Sequence, residues 1–498
     1  DRNRHTATFA DLTIAAAPLS ITRGSLVIES RADGSVAVRG EGPATTDLNR
    51  LGKSLGLFSD PLGPNALRGN GAGRVQFQYS GDVVTFGGNL DVADFAFGPE
   101  KEPEWFEKRL RVEVDGSYTR SSDTLAFKSA MVERRGLSLA AAGTIGKFDS
   151  TTDAKLDGTL SYDMDKLTPK LRELLGGNFA ATGKGSKILS LAGNLTPEPR
   201  PNTKHPPNLF ASIKAELGIG WDSLKAYGFD VGSGELQAKL ADGFVRFTPI
   251  HATFGGGKVT LNPAARLDPA PGGVTFAKGK IVDRARLTPE VCASALGFAL
   301  PAIAHSNKIE GEVSITLGDN HIPLADTSKS TAKAVVLIHK ATLTAGPVIG
   351  EVARLLGADR TTMTLADGQS VSVRVENGRV YHDGLTIKVG GYLVKTSGSV
   401  GFDGSVDLVV DAPIPGGLPG LKNTPSIAKA LTGKRVSVPI RGTLSQPALD
   451  ARAFQLAIAK LAQSAAKDIG RDLLNRELKK LFPEGMPAPG GFFPVPKK

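Results

Sequence analysis

The side chains able to do chemistry are few and scattered. The seven histidines are His5, His205, His251, His305, His321, His339 and His382. None forms an H-x-H or H-x-x-x-H pair, the spacing that turns two imidazoles toward one metal ion. His205 lies in a proline-rich stretch and His382 between two turn dipeptides, so both read as surface or strand residues. Cys292 is the single cysteine, which rules out an intrachain disulfide. Its apolar, helix-like surroundings mark it as a buried small hydrophobe rather than a nucleophile. No G-x-S-x-G elbow occurs, and the GSVG of Gly398 to Gly401 has the wrong spacing. The ATGKGSK around Lys184 is similar to a phosphate loop. It lacks a glycine five residues before Gly183, and Gly185 stands where a hydroxyl must hold the metal. The glycine-rich turn Gly69 to Gly73 lacks the strand–helix context that cradles a pyrophosphate. The expectation is therefore a non-enzymatic protein with no catalytic, cofactor-binding or metal-binding residues.

The dominant pattern is period-two alternation broken by turn dipeptides, the signature of antiparallel strands with one apolar and one polar face. Val371, Val373 and Val375 alternate with Ser372, Arg374 and Glu376. Asn377-Gly378 follows, a pair that tolerates the positive φ of a hairpin turn. After Asp383-Gly384 come Leu385, Ile387 and Val389, and after Asp403-Gly404 come Val406, Leu408 and Val410. Upstream, Val75, Phe77 and Tyr79 alternate with Gln76 and Gln78, and Leu110, Val112 and Val114 precede Asp115-Gly116. Asp33-Gly34 and Asp242-Gly243 mark further turns. The 59 glycines among 498 residues suit a chain with many turns.

Short helical segments punctuate the strands. They open at Asp47 (DLNRLGKSLGLF), Asp163 (DMDKLTPKLRELLGG) and after Asp283 (RLTPEVCASALGFAL), with a fourth at Val348 to Gly357. The first three suggest an internal repeat of about 118 residues, longer than common solenoid periods. The proline-rich stretch 196–208 reads either as a module boundary or as a long surface loop. From Ala451 to Phe482 the period becomes helical, with Phe454, Ile458, Leu461, Ala465, Ile469 and Leu473 on one stripe and a break at Gly470. That amphipathic helix is expected to pack over the end of the sheet, with a membrane surface as the alternative. Residues 483–498 are proline- and glycine-rich and expected to be disordered.

Charge and composition narrow the partners. A net charge of +10 favours anionic surfaces such as lipid head groups. Aromatic residues at 6%, no lysine/arginine block and no nucleic-acid motif argue against nucleic acid. No apolar run reaches the length of a membrane span. The chain begins with Asp1 rather than Met, so an N-terminal anchor missing from this sequence is an expectation.

The final third resembles the C-terminal region of AsmA-like proteins of the bacterial envelope. The resemblance rests on order and texture. Lys308 to Gly318 (KIEGEVSITLG) is similar to the family's opening strand. Ala341 to Gly357 (ATLTAGPVIGEVARLLG) resembles its strand-then-helix step, and Val371 to Pro415 its meander. Val436 to Phe454 resembles its terminal strand and exit, followed by a basic helix. The likeness covers about 308–482, with a fainter one upstream. It implies an elongated, curved antiparallel β-sheet, mainly β, built of repeats with short interspersed helices and a C-terminal amphipathic helix. The modules expected are β-rich repeats at 1–195 and 209–307, the proline-rich segment 196–208 between them, an AsmA-like domain at 308–450, a helix at 451–482 and a tail at 483–498.

The family also implies a groove that binds or conducts phospholipid between membranes, in outer-membrane biogenesis. Partners would be phospholipid or another acyl lipid, the membrane surface and other envelope proteins, with no nucleic acid. The location implied is the periplasm, anchored to the inner membrane. Val373, Leu385, Ile387, Val389 and Leu408 are the expected lipid-facing residues. The competing reading is a structural β-repeat scaffold or interaction protein without lipid transport.

Overall fold

The computed structural model describes residues 5–464 except 17, 32, 55–66, 99–104, 148–151, 176–178, 197–207, 227–228, 294, 305, 307, 345, 357–362 and 415–424. The protein is mainly β, 67% strand and 14% helix, and its strands pair antiparallel. The chain divides into two compact units. One comprises residues 1–224, 232–249 and 263–273, the other 225–231, 250–262 and 274–498. Most of the proline-rich stretch and everything after Ser464 lie outside the described residues.

The N-terminal unit is a meander of long strands. In order they are β1 His5–Ala16, β2 Leu19–Ser30, β3 Val36–Asp47, β4 Leu67–Ser80, β5 Val83–Phe97, β6 Trp105–Thr119, β7 Thr124–Arg134, β8 Leu137–Gly146 and β9 Asp153–Asp163. Two helices interrupt it, α1 Leu48–Ser54 after β3 and α2 Met164–Leu175 after β9. The short β10 Ala180–Thr182 and then β11 Lys184–Asn194 and β12 Ile213–Trp221 follow. β11 returns to pair with β9, and β12 with β11. Strands Gly234–Ala241, Phe244–Phe247 and Pro263–Arg266 continue the ladder.

Turn chemistry sets the register. At the β2–β3 turn Asp33 accepts from the Ser35 backbone N–H at 2.9 Å, and Gly34 takes φ +80°. Asp11 and Arg23 hold positive φ, +57° and +52°, where the β1–β2 register shifts around Leu12 and Gly24. Such bulges sharpen the local twist.

The C-terminal unit is a second meander. Its main strands are β13 Gly279–Arg286, β14 Ile309–Pro323, β15 Thr331–Leu343, β16 Gln369–Glu376, β17 Arg379–Val389, β18 Tyr392–Gly401, β19 Ser405–Pro413 and β20 Arg435–Thr443, each paired to the next, with the shorter Ile250–Phe254, Gly257–Leu261, Met363–Leu365 and Pro447–Leu449 beside them. Its helices are α3 Pro289–Ala293, α4 Ala295–Ala299, α5 Pro347–Leu356, α6 Pro425–Leu431 and α7 Ala451–Ser464. Helix α6 carries no alternation signal and is an addition to the sequence reading.

Here the core is deep. Val291, Cys292 and Leu296 from α3–α4, and Val348, Ile349, Val352 and Ala353 from α5, form one cluster with the apolar face of β14–β19. A second cluster joins Ile427 and Leu431 of α6 to Ile458 and Ala459 of α7 over Val436 and Val438 of β20. The described part of the C-terminal helix thus packs on the end of the sheet. No helix among the described residues is long and apolar enough to cross a membrane.

Candidate functional site

In the N-terminal unit the cross-strand register aligns apolar side chains into rows perpendicular to the strands. The first row runs Val38–Tyr79–Val84–Tyr118–Leu125–Ile145 from β3 to β8. The second runs Gly40–Phe77–Phe86–Gly116–Phe127–Gly143. The third carries Val75, Val114, Ala130 and Ala141, and the fourth Leu90, Val112, Val132, Leu139 and Leu160. All four fall on one face because strand side chains alternate, with a bulge in β7 between Phe127 and Ala130 that absorbs the odd spacing there.

The glycines of the second row have a packing reason. A Cβ on Gly40 would lie 2.5 Å from the Phe77 ring, and one on Gly116 would lie 2.9 Å from the Phe86 ring. Phe77 and Phe86 each lie over the glycine of a neighbouring strand, so these two rings lie low on the sheet.

This face is only half covered. Phe77, Phe86, Phe127, Val112, Val114, Leu125 and Leu139 are of intermediate exposure, and Val132 is 36% exposed. Helix α1 packs at the margin, where Leu48 meets Val92 and Leu110. Helix α2 packs near β9 and β10. With rows two residues apart and strands about 4.8 Å apart, the field over β3–β9 measures roughly 20 by 29 Å. That is a footprint on the order of 600 Å², of which the intermediate exposure of its side chains leaves a part in contact with water. The opposite face is polar. Arg39, Glu41, Gln76, Gln78, Thr85 and Asp115 alternate with the apolar rows along β3–β6.

The five residues expected to face lipid lie in the C-terminal unit, and the structure brings them together in its core. Leu385, Ile387, Val389 and Leu408 are 0% exposed and Val373 is 8% exposed. Ile387 pairs with Val394 and Val389 with Tyr392 on the face that α3, α4 and α5 cover. As folded, the four fully buried residues present no surface to an acyl chain. Val373 alone borders a cavity, of about 620 Å³, shared with Leu317, Ala334, Tyr381 and His382. Alternation identifies the apolar face correctly but carries no information about what covers it. The half-exposed residues of the N-terminal unit show the same alternation, and Val75, Phe77 and Tyr79 are legible as strand. Only the missing cover distinguishes them.

Two polar arrangements test for hidden chemistry. Ser314 Oγ lies 2.9 Å from His339 Nε2 and 3.3 Å from Asp283 Oδ1, and it accepts the Arg284 N–H at 3.1 Å. The hydroxyl, not the imidazole, sits in the middle. The carboxylate therefore does not orient the histidine as a general base, which a nucleophilic triad requires. His382 is buried on the core face with Nε2 3.1 Å from Thr396 Oγ1, while its Nδ1 has no partner. Burial pushes its pKa down to about 4, against a smaller opposing pull from Asp383. It is a neutral core imidazole. Among the described residues no cluster of histidine, cysteine, aspartate or glutamate could hold a metal ion.

Compared with protein-family models the sequence matches none, and no curated protein matches it at a significant level.

Proposed function

We propose that the chain is a non-enzymatic protein of the bacterial cell envelope that binds acyl lipid on the half-exposed face of β3–β9. One observation carries the reading: four register-aligned apolar rows, each crossing five or six of the strands β3–β9, are only partly covered. Exposing such a field to water is costly, at roughly 25 cal/mol per Å². A hydrocarbon chain lying across the rows removes that cost and needs no precise polar partner. The polar opposite face stays in water, as a conduit through an aqueous compartment requires. The net charge of +10 suits an anionic membrane surface as donor or acceptor.

The resemblance of the C-terminal third to AsmA-like proteins gives the setting: the periplasm, with phospholipid as cargo and movement between membranes as the purpose. The sealed core of the C-terminal unit supports a scaffold role for that part of the chain. The lipid-binding role then falls on the N-terminal unit rather than on Val373, Leu385, Ile387, Val389 and Leu408.

The test is gentle purification from a bacterial envelope, followed by native mass spectrometry and lipid extraction. Phospholipid is expected to co-purify and to be lost in a folded Phe86→Asp/Phe127→Asp variant. A lipid-free wild-type protein, or lipid retained equally by the variant, overturns the proposal in favour of a scaffold.

A further inference from the structure

The C-terminal unit also has an apolar opening, away from the residues sealed by its helices. A cavity of about 380 Å³ is walled by Leu261, Phe276, Ile281, Val375 and Phe402, with Ile322 and Ala332 also on its lining. Three of these, Leu261, Ile281 and Val375, pack against the main core cluster, so the cavity abuts the core. Phe402 is 48% exposed, so part of the wall stands in solvent.

Two polar residues of this wall, Asn320 and Ser330, have their hydrogen bonds taken. Asn320 Oδ1 accepts the Phe276 N–H at 2.7 Å, and its Nδ2 donates to the Phe276 carbonyl at 2.8 Å and the Gly318 carbonyl at 3.0 Å. The amide acts as a surrogate strand that fixes Phe276 in place. Ser330 Oγ donates to the Thr327 carbonyl at 2.5 Å. A guest would find mostly carbon on the walls, with Asn320 and Ser330 already paired and the exposed Thr331 on the lining as well. It must therefore be hydrocarbon, because a buried polar atom without a partner is penalised. The volume lies in the range of small-ligand sites, and the walls are adaptable aliphatic and phenyl groups.

We propose that this cavity holds the methylene end of a single acyl chain, with the polar head left outside beside Phe402. The inference rests on the acyl-lipid reading for the class of guest, but it concerns a separate site. A bound chain would be held from one end, since the core on the inner side is filled.

The experiment uses the full chain with Phe402→Trp as sole fluorophore, Trp105 and Trp221 being replaced by phenylalanine. The probe is a long-chain fatty acid brominated at mid-chain, with the unbrominated acid as control. Saturable quenching of the new tryptophan is expected. Adding Ala332→Phe, which fills the cavity, should weaken it at least about tenfold. Ala332→Ser should leave it nearly unchanged. If Ala332→Phe does not fold by circular dichroism, Ile322→Phe serves the same purpose. Absence of quenching, or equal quenching in the filled variant, overturns the proposal. So does quenching by a brominated sterol alone, since that guest is not an acyl chain. Quenching that persists while Phe86→Asp/Phe127→Asp abolishes phospholipid co-purification leaves both sites standing as independent. No quenching with lipid still held on the N-terminal face ends this inference alone.

Discussion

Replacing His382 with leucine should remove a defined share of the acid sensitivity of the C-terminal unit. In the folded chain the imidazole is pushed down to about 4 by burial, from a reference of 6.5. The folded state therefore prefers the neutral ring, and the unfolded chain takes up the proton first. The contribution to stability is complete above pH 6.5 and is lost as pH falls toward 4. A shift of roughly 2.5 units corresponds to about 3 kcal/mol in full, and to about 2 kcal/mol between about pH 8 and about pH 5. The assay is urea denaturation at those two pH values, read by labelling of Cys292, which is buried in the same cluster as the helices over this sheet. Comparing wild type with His382→Leu cancels the other titrating groups. Thr396→Val should accompany the change, because Thr396 Oγ1 otherwise loses its partner. Equal pH dependence in the two proteins, or a His382 that titrates near 6.5 in the folded state, would refute the reasoning.

Other substitutions separate the sealed core from the open face. Ile387→Ala should cost about 2–5 kcal/mol in urea denaturation, since the side chain is wholly buried and leaves a cavity. Phe86→Ser should cost clearly less, because water already reaches the ring, and it should reduce binding of an apolar dye. Gly116→Val should disrupt β6–β7 pairing, seen as faster amide exchange, because a Cβ there lies 2.5 Å from the Ala126 carbonyl oxygen. Cys292 should resist thiol reagents in the native protein and react in step with unfolding, being 0% exposed.

Much of the fold could be read because strand alternation is a local signal. The meander from Gln369 to Pro413 falls where Val371–Val375, Leu385–Val389 and Val406–Val410 place it. The helices at Leu48, Met164 and Pro347 occupy segments with helical spacing, and the segment after Leu287 forms two short helices. What the chain does not announce is tertiary cover. Ile387 and Phe86 stand in equally regular alternation, yet one lies under α3–α5 and the other is only partly covered. The difference depends on where a helix distant in sequence comes to rest. The glycine–phenylalanine pairing of Gly40 with Phe77 and Gly116 with Phe86 was also hidden, since it depends on register between strands. His382, between two turns, reads as a strand or surface residue; its burial follows from its alternation with Val380 and its pairing with Val373 on the core face.

The claim that β3–β9 offers an acyl-binding face is tested most directly by site-specific photo-crosslinking in living bacteria. A photoreactive phenylalanine analogue is placed in turn at Phe86 on the open face, at Gln78 on the polar face, and at Ile387 in the sealed core. Crosslinks to phospholipid at position 86, and none at 78 or 387, are the predicted result. Lipid crosslinks at 78 equal to those at 86, or none at 86 in a folded and expressed protein, would contradict it.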